Sequence, residues 1–518
     1  MVKLMGRFAE CYLAELSCDR CEKGTVVPAE LFSKQLEARE QGPAASASPA
    51  RGLDAHLRVR RKPTMTSITN PPNARCVATT GDAFCKSIKE CAAAKIAQPR
   101  QFGYGNGSES NFFREAQFSG DGTTIVTHNE DHCLRTFVLP TSLLDGSQQP
   151  HELAAYATGS SPGNVLSYAT YPAFALQDSS TTLVLSATAD QPIILRNALD
   201  YNTVHAKYPH VSPTTEEYMR SSTLAFTRDA RHFVAGSKNQ IATFDCAHNG
   251  SGPLATHRTG VSQKARRQFG AGSSMGCKGI VSGLSISGDG VLAVGTTERE
   301  IGLYSNEGNG ECITAFTLTG RTNETELVND GHSIEGTGIT GLKWSPCGRY
   351  VIIAERQCDA VQIYDVRNTL QWVSRLTGRK AETAQKLGIN VVPTAGGYEV
   401  WAGGTDGYVR MWDNPGSKTG EHAPDAGIKL HDGEKPSQSD STTRGADINP
   451  DPVSSAVWHP SGAVLATSSG QRCARTGFDD SSSSESDEGS ASDSDSGSGI
   501  TAEKHTRTPD NKLSVWLL

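Results

Sequence analysis

GLKWSPCGRYVIIAERQCDAVQIYDVR, residues 341–367, holds one complete structural unit. A short strand ends at Trp344, a Ser-Pro-Cys-Gly turn follows, and an apolar second strand runs into a tight polar turn before a third strand closes on Tyr364-Asp365. Short β-branched and aromatic runs punctuated by Gly, Pro, Ser and Asp are the pattern of strands joined by turns. The unit recurs on either side. It is visible as FFREAQFSGDGTTIVTHNEDHCLRTFVLP (112–140), LAFTRDARHFVAGSKNQIATFD (224–245) and GLSISGDGVLAVGTTEREIGLYS (283–305). Matched first-strand residues Phe118, Phe226, Ile286 and Trp344 lie 108, 60 and 58 positions apart, and the long step hides a further copy, YATYPAFALQDSSTTLVLSATADQPIILRNA from Tyr168.

A sixth copy, LGINVVPTAGGYEVWAGGTDGYVRMWD, starts at Leu387 and ends on Trp412-Asp413. The seventh, PVSSAVWHPSGAVLATSSGQR from Pro452, stops after two strands, and its third is DNKLSVWLL, residues 510–518. Repeats of several short strands with Trp-Asp or Tyr-Asp ends predict an all-β, seven-bladed WD-repeat β-propeller of four-stranded blades over residues 99–518. The last blade has no following segment to supply its outer strand. That strand is expected from the N-terminal side, around Ala94 to Tyr104, so that the ring closes and no sheet edge is left open.

The chain's net charge of −7 is misleading, because DDSSSSESDEGSASDSDS (479–496) alone holds seven carboxylates and no Lys or Arg. The remainder is neutral. Without aromatic or branched apolar residues the tract cannot offset its ordering entropy, so residues 473–509 read as a disordered acidic insertion within blade seven. Ser482, Ser484, Ser490 and Ser492 each precede an acid by three residues, a pattern of acidophilic kinase sites; a solvated spacer is the plain alternative. Residues 1–98 read as a mostly disordered extension with a short helix over Ala29 to Glu40 and a weak basic run at Arg58 to Pro63.

With 518 residues and a mean hydropathy of −0.41, the chain has no run of about 18 apolar residues, which excludes a membrane-spanning helix. Its start shows no apolar core or cleavage site of a secretory signal, so an intracellular protein is expected. The 13 cysteines are odd in number and scattered, which argues for reduced thiols. Cys18-x-x-Cys21 lacks the second pair that a structural zinc site requires, and neither metal nor cofactor is expected.

Candidate chemistry is equally sparse. Asp131, Asp406 and Asp510 precede third strands, where aspartate accepts backbone hydrogen bonds, and Gly331-His332 resembles the structural Gly-His pair of WD repeats. Trp344, Trp401, Trp412, Trp458 and Trp516 fall at packing positions. GYGNGS (103–108) lacks the Lys and the helix of a phosphate cradle, and no G-x-S-x-G or His-x-x-x-His is present. No catalytic residue is expected. What remains is the loop QKARRQFGAGSSMGCKG (263–279), whose Lys264, Arg266, Arg267, Lys278 and Phe269 suit phosphate contacts and base stacking on RNA, although a solvated loop explains the charge as simply.

Several segments closely resemble the telomerase Cajal body protein family and its fungal relatives linked to pre-mRNA splicing. They are AQFSGDGTTIVTHNEDHCLRTFVLP, ATADQPIILRNA, the basic loop leading into LSIS, LATSSGQR split from the terminal strand, and AERQCDAVQIYDVR followed by LQWVSRLTGRKAETAQKLGIN. The last is the most specific, with Gly378, Arg379, Thr383, Gln385 and Lys386 matching the family's pattern; Cys347 in place of the usual turn Asp departs from it. The resemblance spans about Asn111 to Leu518. It implies a non-enzymatic nuclear scaffold, with a cytoplasmic pool allowed, that binds small nuclear RNA or RNP proteins and assists assembly or localisation of those particles. It adds Arg356, Arg379 and Lys386 to the contact set, and implies a monomer within a larger complex, further protein partners on the propeller faces and no membrane. The alternatives are a generic adaptor of ubiquitin-ligase or chromatin complexes and a propeller hydrolase.

Overall fold

Seven sheets, antiparallel but for one added outer strand in each of two, follow one another along the chain, each ordered from its first strand outward. The computed structural model describes residues 74–81, 111–260, 276–318, 336–369, 372–430, 451–471 and 511–518. The first strands, here called strand a of blades 1 to 7, are Phe113–Phe118, Val165–Thr170, Thr223–Phe226, Val281–Ile286, Ile339–Trp344, Ile389–Thr394 and Val453–Trp458. They line a central channel. Their channel-side backbone groups have no further strand to pair with, and neighbouring blades satisfy them with short side chains. Ser167 Oγ donates to Ser221 O at 2.9 Å, Ser222 Oγ to Val281 O at 2.9 Å, Ser282 Oγ to Ile339 O at 2.5 Å and Ser454 Oγ to Phe113 O at 2.6 Å. The expected seven-bladed all-β propeller is the fold.

One turn design joins strand a to strand b in five blades. The first turn residue reaches the third: Ser119 Oγ to Asp121 Oδ1 at 2.6 Å, Thr227 Oγ1 to Asp229 Oδ1 at 2.6 Å, Ser287 Oγ to Asp289 Oδ1 at 2.5 Å. Cys347 takes the aspartate's place with its thiol 3.3 Å from Ser345 Oγ, and Ser461 does so at 2.7 Å from His459 Nδ1. The fourth residue is left-handed, as Gly122, Gly290, Gly348 and Gly462, but in blade 3 it is Ala230 with φ 56°. A Cβ in that region is unfavourable, so blade 3 carries strain the other turns avoid.

The core is divided among the blade interfaces. Seven buried clusters each draw on two adjacent sheets, such as Leu185 and Tyr208 with Phe233 and Phe244 between blades 2 and 3. Phe233 and Phe244 stack at 4.9 Å with 7° between planes. Trp344, Trp401, Trp412, Trp458 and Trp516 all pack in these clusters, as their strand positions predict.

Ring closure differs from expectation in place. Leu513–Leu517 pairs with Val464–Ser469 as blade 7's third strand, which sets the acidic segment between its second and third strands. The outer strand is Arg75–Thr79, antiparallel to Leu513–Leu517, whereas Ala94 to Tyr104 lies outside the described residues. RCVAT serves because it buries Val77 and Ala78 against Phe113, Phe137 and Val515, while Thr79 Oγ1 meets Ser514 Oγ at 3.1 Å. Two blades gain a fifth strand. His151–Glu152 of blade 1 pairs in parallel with Arg75–Thr79, and Gly420–His422 of blade 6 with Ser374–Leu376 of blade 5.

Candidate functional site

The two faces of the disc are built from different connections. On one face the b–c turns of blades 1, 2, 4, 5 and 7 bond to the segment leading into their own strand a: Glu130 N–H to Phe112 O at 3.0 Å, Ala189 to Asn164 at 2.9 Å, Thr297 to Ile280 at 2.9 Å, Arg356 to Gly338 at 2.7 Å and Gly470 to Pro452 at 3.1 Å. In blade 3 the turn residue Asn239 donates its N–H to Gly279 O at 2.8 Å and accepts the Thr259 N–H at 3.0 Å. The residues flanking the basic loop, and those flanking the acidic segment at Gly470 and Asn511, therefore stand on this same face. The a–b turns form the other.

Lys264, Arg266 and Arg267 lie outside the described residues, as do Ser482, Ser484, Ser490, Ser492, Asp510 and Gly331-His332. Lys278 is half-buried beside the blade 3 turn, and Arg356 is exposed on the blade 5 turn. Lys386 is exposed and pairs through Nζ with Glu115 Oε2 of blade 1 at 3.1 Å. These three share the face of the b–c turns.

Arg379 does not join them. It is 2% exposed, with Nε donating to Gly403 O at 2.8 Å and Nη2 to Leu387 O at 3.3 Å. Burial pushes its guanidinium down to about 10. A planar fork of donors is suited to gathering the carbonyls left where the lead-in to blade 6 crosses that blade's b–c turn. The residues matched by family resemblance are thus a folded strap. Gly378 is left-handed at φ 82°, the Ala381 N–H binds Asp359 Oδ1 at 2.6 Å, Thr383 O accepts the Gln357 N–H at 2.9 Å, and the Gln385 N–H binds Thr383 Oγ1 at 3.2 Å. The strap holds Lys380, Glu382 and Lys386 outward.

Three cations were not singled out from the sequence. Lys238 is exposed on the blade 3 turn, directly before left-handed Asn239, just as Arg356 precedes left-handed Gln357. That shared turn register was the available signal. Lys380 is exposed on the strap, its carbonyl taking the Thr405 N–H at 2.7 Å. Lys343 sits in strand a of blade 5 between buried Leu342 and Trp344, yet is itself solvent-exposed. Crowding by the surrounding strands and the nearby Lys386 charge push its ammonium down, and Glu115 opposes them.

The carboxylates beneath this face serve the frame. Asp131 takes Arg135 Nη1 at 2.9 Å and Nη2 at 2.5 Å, plus the Cys133 N–H at 3.0 Å. Burial alone would raise its pKa, but the bonds and charge of Arg135 outweigh that and hold it low. Asp406 and Arg410 repeat the pair at 2.9 and 2.6 Å. In the connection between blades 2 and 3 His210 is buried, its Nδ1 3.0 Å from Ser221 Oγ, and burial pushes it down to about 4. Among the described residues no group of three or more His, Cys, Asp or Glu could hold a metal, and no helix is long and apolar enough to cross a membrane.

Blade architecture, turn chemistry and buried Asp–Arg pairs define a WD-repeat β-propeller whose b–c face is its elaborated surface. No protein-family model matches the chain. It is 30% identical over 310 residues to guanine nucleotide-binding protein negative regulator 1 of Schizosaccharomyces pombe, covering 59% of this chain and 71% of that protein. It is 25% identical over 367 residues to telomerase Cajal body protein 1 of Bos taurus, covering 70% of this chain and 58% of the relative, and 25% identical over 281 residues to protein SWT21 of Eremothecium gossypii, covering 53% and 62%. The chain belongs to the WD-repeat family that contains these proteins. It spans somewhat over half the length of the mammalian relative.

Proposed function

We propose that this protein is a non-enzymatic nuclear scaffold that binds small nuclear RNA–protein particles through its b–c face, in their assembly or localisation. Pre-mRNA splicing particles and small Cajal body or telomerase particles are the candidate clients. The observation that supports it best is the gathering of Lys238, Lys278, Arg356, Lys380 and Lys386 on the face where the residues flanking the basic loop also stand. Lys264, Arg266 and Arg267 extend that set, and Arg379 leaves it. Cations spaced around one face suit a phosphate backbone, whose contacts release counterions and make affinity steeply salt-dependent.

Immunoprecipitation with RNA sequencing is the direct test, with small nuclear RNA enriched over total RNA as the expected result. Recovery of proteins without enriched RNA overturns it. With purified protein, replacing Lys278, Arg356 or Lys386 by Ala should flatten the log affinity against log salt by about one unit each. The acidic segment, with or without phosphate on Ser482, Ser484, Ser490 and Ser492, is proposed to compete with RNA for the same face, since its flanking residues stand there. Deleting residues 479–496 should then tighten RNA binding at low salt and lose that effect as the screening length shortens.

A protein adaptor is the rival function, favoured by the name of the fission-yeast relative, which describes a negative regulator of a guanine nucleotide-binding protein. Under it, the same immunoprecipitation yields a guanine nucleotide-binding protein and no RNA.

A further inference from the structure

The segment joining a blade's third strand to its outer strand does more than connect the two. In blades 1 to 6 it leans on the preceding blade of the ring. In blade 1 it supplies His151–Glu152, parallel to the outer strand Arg75–Thr79 of blade 7, and the Leu153 N–H continues that ladder to Thr79 O at 2.8 Å. In blade 6 it supplies Gly420–His422, parallel to Ser374–Leu376 of blade 5. The blade 3 segment sends the Gly250 N–H to Lys207 O at 2.8 Å, on the outer strand Val204–Tyr208 of blade 2, and takes the Lys207 N–H on Asn249 Oδ1 at 2.9 Å. The other three use side chains. Tyr201 of blade 2 lies against Gly159 of blade 1 and meets Thr136 Oγ1 at 2.8 Å, Glu307 of blade 4 accepts from Arg228 Nε of blade 3 at 2.6 Å, and Trp372 of blade 5 packs against the cluster that Phe316 of blade 4 also covers.

Blade 7 cannot repeat this arrangement, because its outer strand lies ahead of the ring in sequence and is entered at Ala74 rather than from its third strand. Blade 6 is therefore the one blade that receives no such segment from its successor among the described residues, and its outer strand Ala426–Lys429 stands at a sheet edge. Unpaired N–H and C=O groups along an edge are a template for another strand. The chain entering blade 7 is in position to use it, since Ala74 packs against the blade 6–7 cluster that holds Ile428. Spacing agrees. Four residues, Leu153 to Tyr156, separate the added strand of blade 1 from its outer strand, and three, Ala423 to Asp425, do so in blade 6. Four residues ahead of Arg75, Pro71 to Ala74, lead back to Ile68-Thr69-Asn70. Ile and Thr favour a strand, and Pro71 and Pro72, having no N–H, end a ladder as Pro424 does in blade 6.

We propose that Ile68–Asn70 is the missing segment, a short strand laid in parallel on Ala426–Lys429, with Pro71–Ala74 as the turn into the outer strand of blade 7. The blade 6 edge is then filled by this chain itself, and a partner's strand or a second copy has to displace it before pairing there. The assignment does not depend on RNA binding.

The test uses the full chain with the photo-cross-linker benzoylphenylalanine in place of Ile68 and, separately, of Thr69, so that both faces of the added strand are sampled. Irradiation of at least one should give a monomer-sized product whose peptide map joins the label to residues 426–430. A dimer-sized product assigns the edge to a second copy and overturns the proposal, as does a product joined only to other blades, or none. Hydrogen exchange reads the backbone independently. Replacing both Ile68 and Thr69 by Pro removes the N–H that faces the edge, whichever residue carries it. Exchange of the 426–429 amides should then speed severalfold while that of Ser374–Leu376 stays as it was. Deleting residues 1–67 should leave the 426–429 amides slow, and deleting residues 1–73 should match the double Pro variant. Exchange at 426–429 that stays slow in the double Pro variant, or that speeds equally at Ser374–Leu376, overturns the proposal.

Discussion

The a–b face and the b–c face are assembled from the same strands, yet they treat connections in opposite ways. On the a–b face, turns such as Ser119–Gly122 and Ser287–Gly290 close on themselves within four residues. On the b–c face the turns bond to the lead-in segments instead, so each lead-in is anchored at its end while the chain between blades is free to lengthen. A connection fixed at both ends by hydrogen bonds can accept long insertions at little cost, because loop closure adds only ~0.6 kcal/mol per doubling of length. One face is therefore committed to holding the sheets and the other is available for elaboration.

The largest expected effect strikes what lies beneath the elaborated face. Asp131→Ala would strand buried Arg135 and should lower unfolding free energy by about 3–5 kcal/mol, read by urea denaturation. The pH dependence follows from the sign of the shift. A carboxyl held low in the folded state stabilises above its unfolded pKa near ~3.9 and loses that contribution as pH falls through the folded value. Asp131→Asn should accordingly flatten the acid limb of the stability profile below about pH 4. An unchanged limb would mean the pair contributes nothing.

Arg379→Ala sharpens the division next. It should cost about 2–3 kcal/mol by leaving Gly403 O and Leu387 O without their buried donor, and leave the salt slope of RNA binding as it was. A stable variant with a flatter slope would return Arg379 to the contact surface. On the opposite face Ser119→Ala should cost about 1 kcal/mol, as loss of one turn hydrogen bond does. The smallest effect is favourable: Ala230→Gly relieves the left-handed residue and should raise stability by about 0.5–1 kcal/mol in thermal melting. A neutral result would show the blade 3 turn is not strained.

The sequence announced the repeated parts best. Ser-x-Asp-Gly turns, alternating strands and the displaced DNKLSVWLL all follow local rules that tertiary structure had only to respect. Arg75–Thr79 was missed because a five-residue outer strand has no repeat of its own; only its fit beside Leu513–Leu517 distinguishes it from neighbouring segments. His151–Glu152 and Gly420–His422 are shorter than any pattern can mark. Charge misled at Arg379, where a guanidinium that looks like a surface contact is spent on two carbonyls. Lys343 escaped notice for the converse reason: enclosed by Leu342 and Trp344 in sequence, it faces the channel, and only the ring defines that direction.

Blade 7 joins Thr79 to Ser514, side chains 435 positions apart in the chain. At ~5–20 residues per second, translation separates these two strands by roughly 20 to 90 s. Throughout that interval the growing chain holds the first sheet without its partner, its Phe113 and Phe137 side uncovered by the last. Such a long-range final contact makes closure a late and slow step, and the half-built ring a substrate for whatever shields apolar surface in the cell. Joining the chain's ends with a short linker and opening it between two earlier blades would shorten that wait, and should speed refolding without moving any residue of the finished ring.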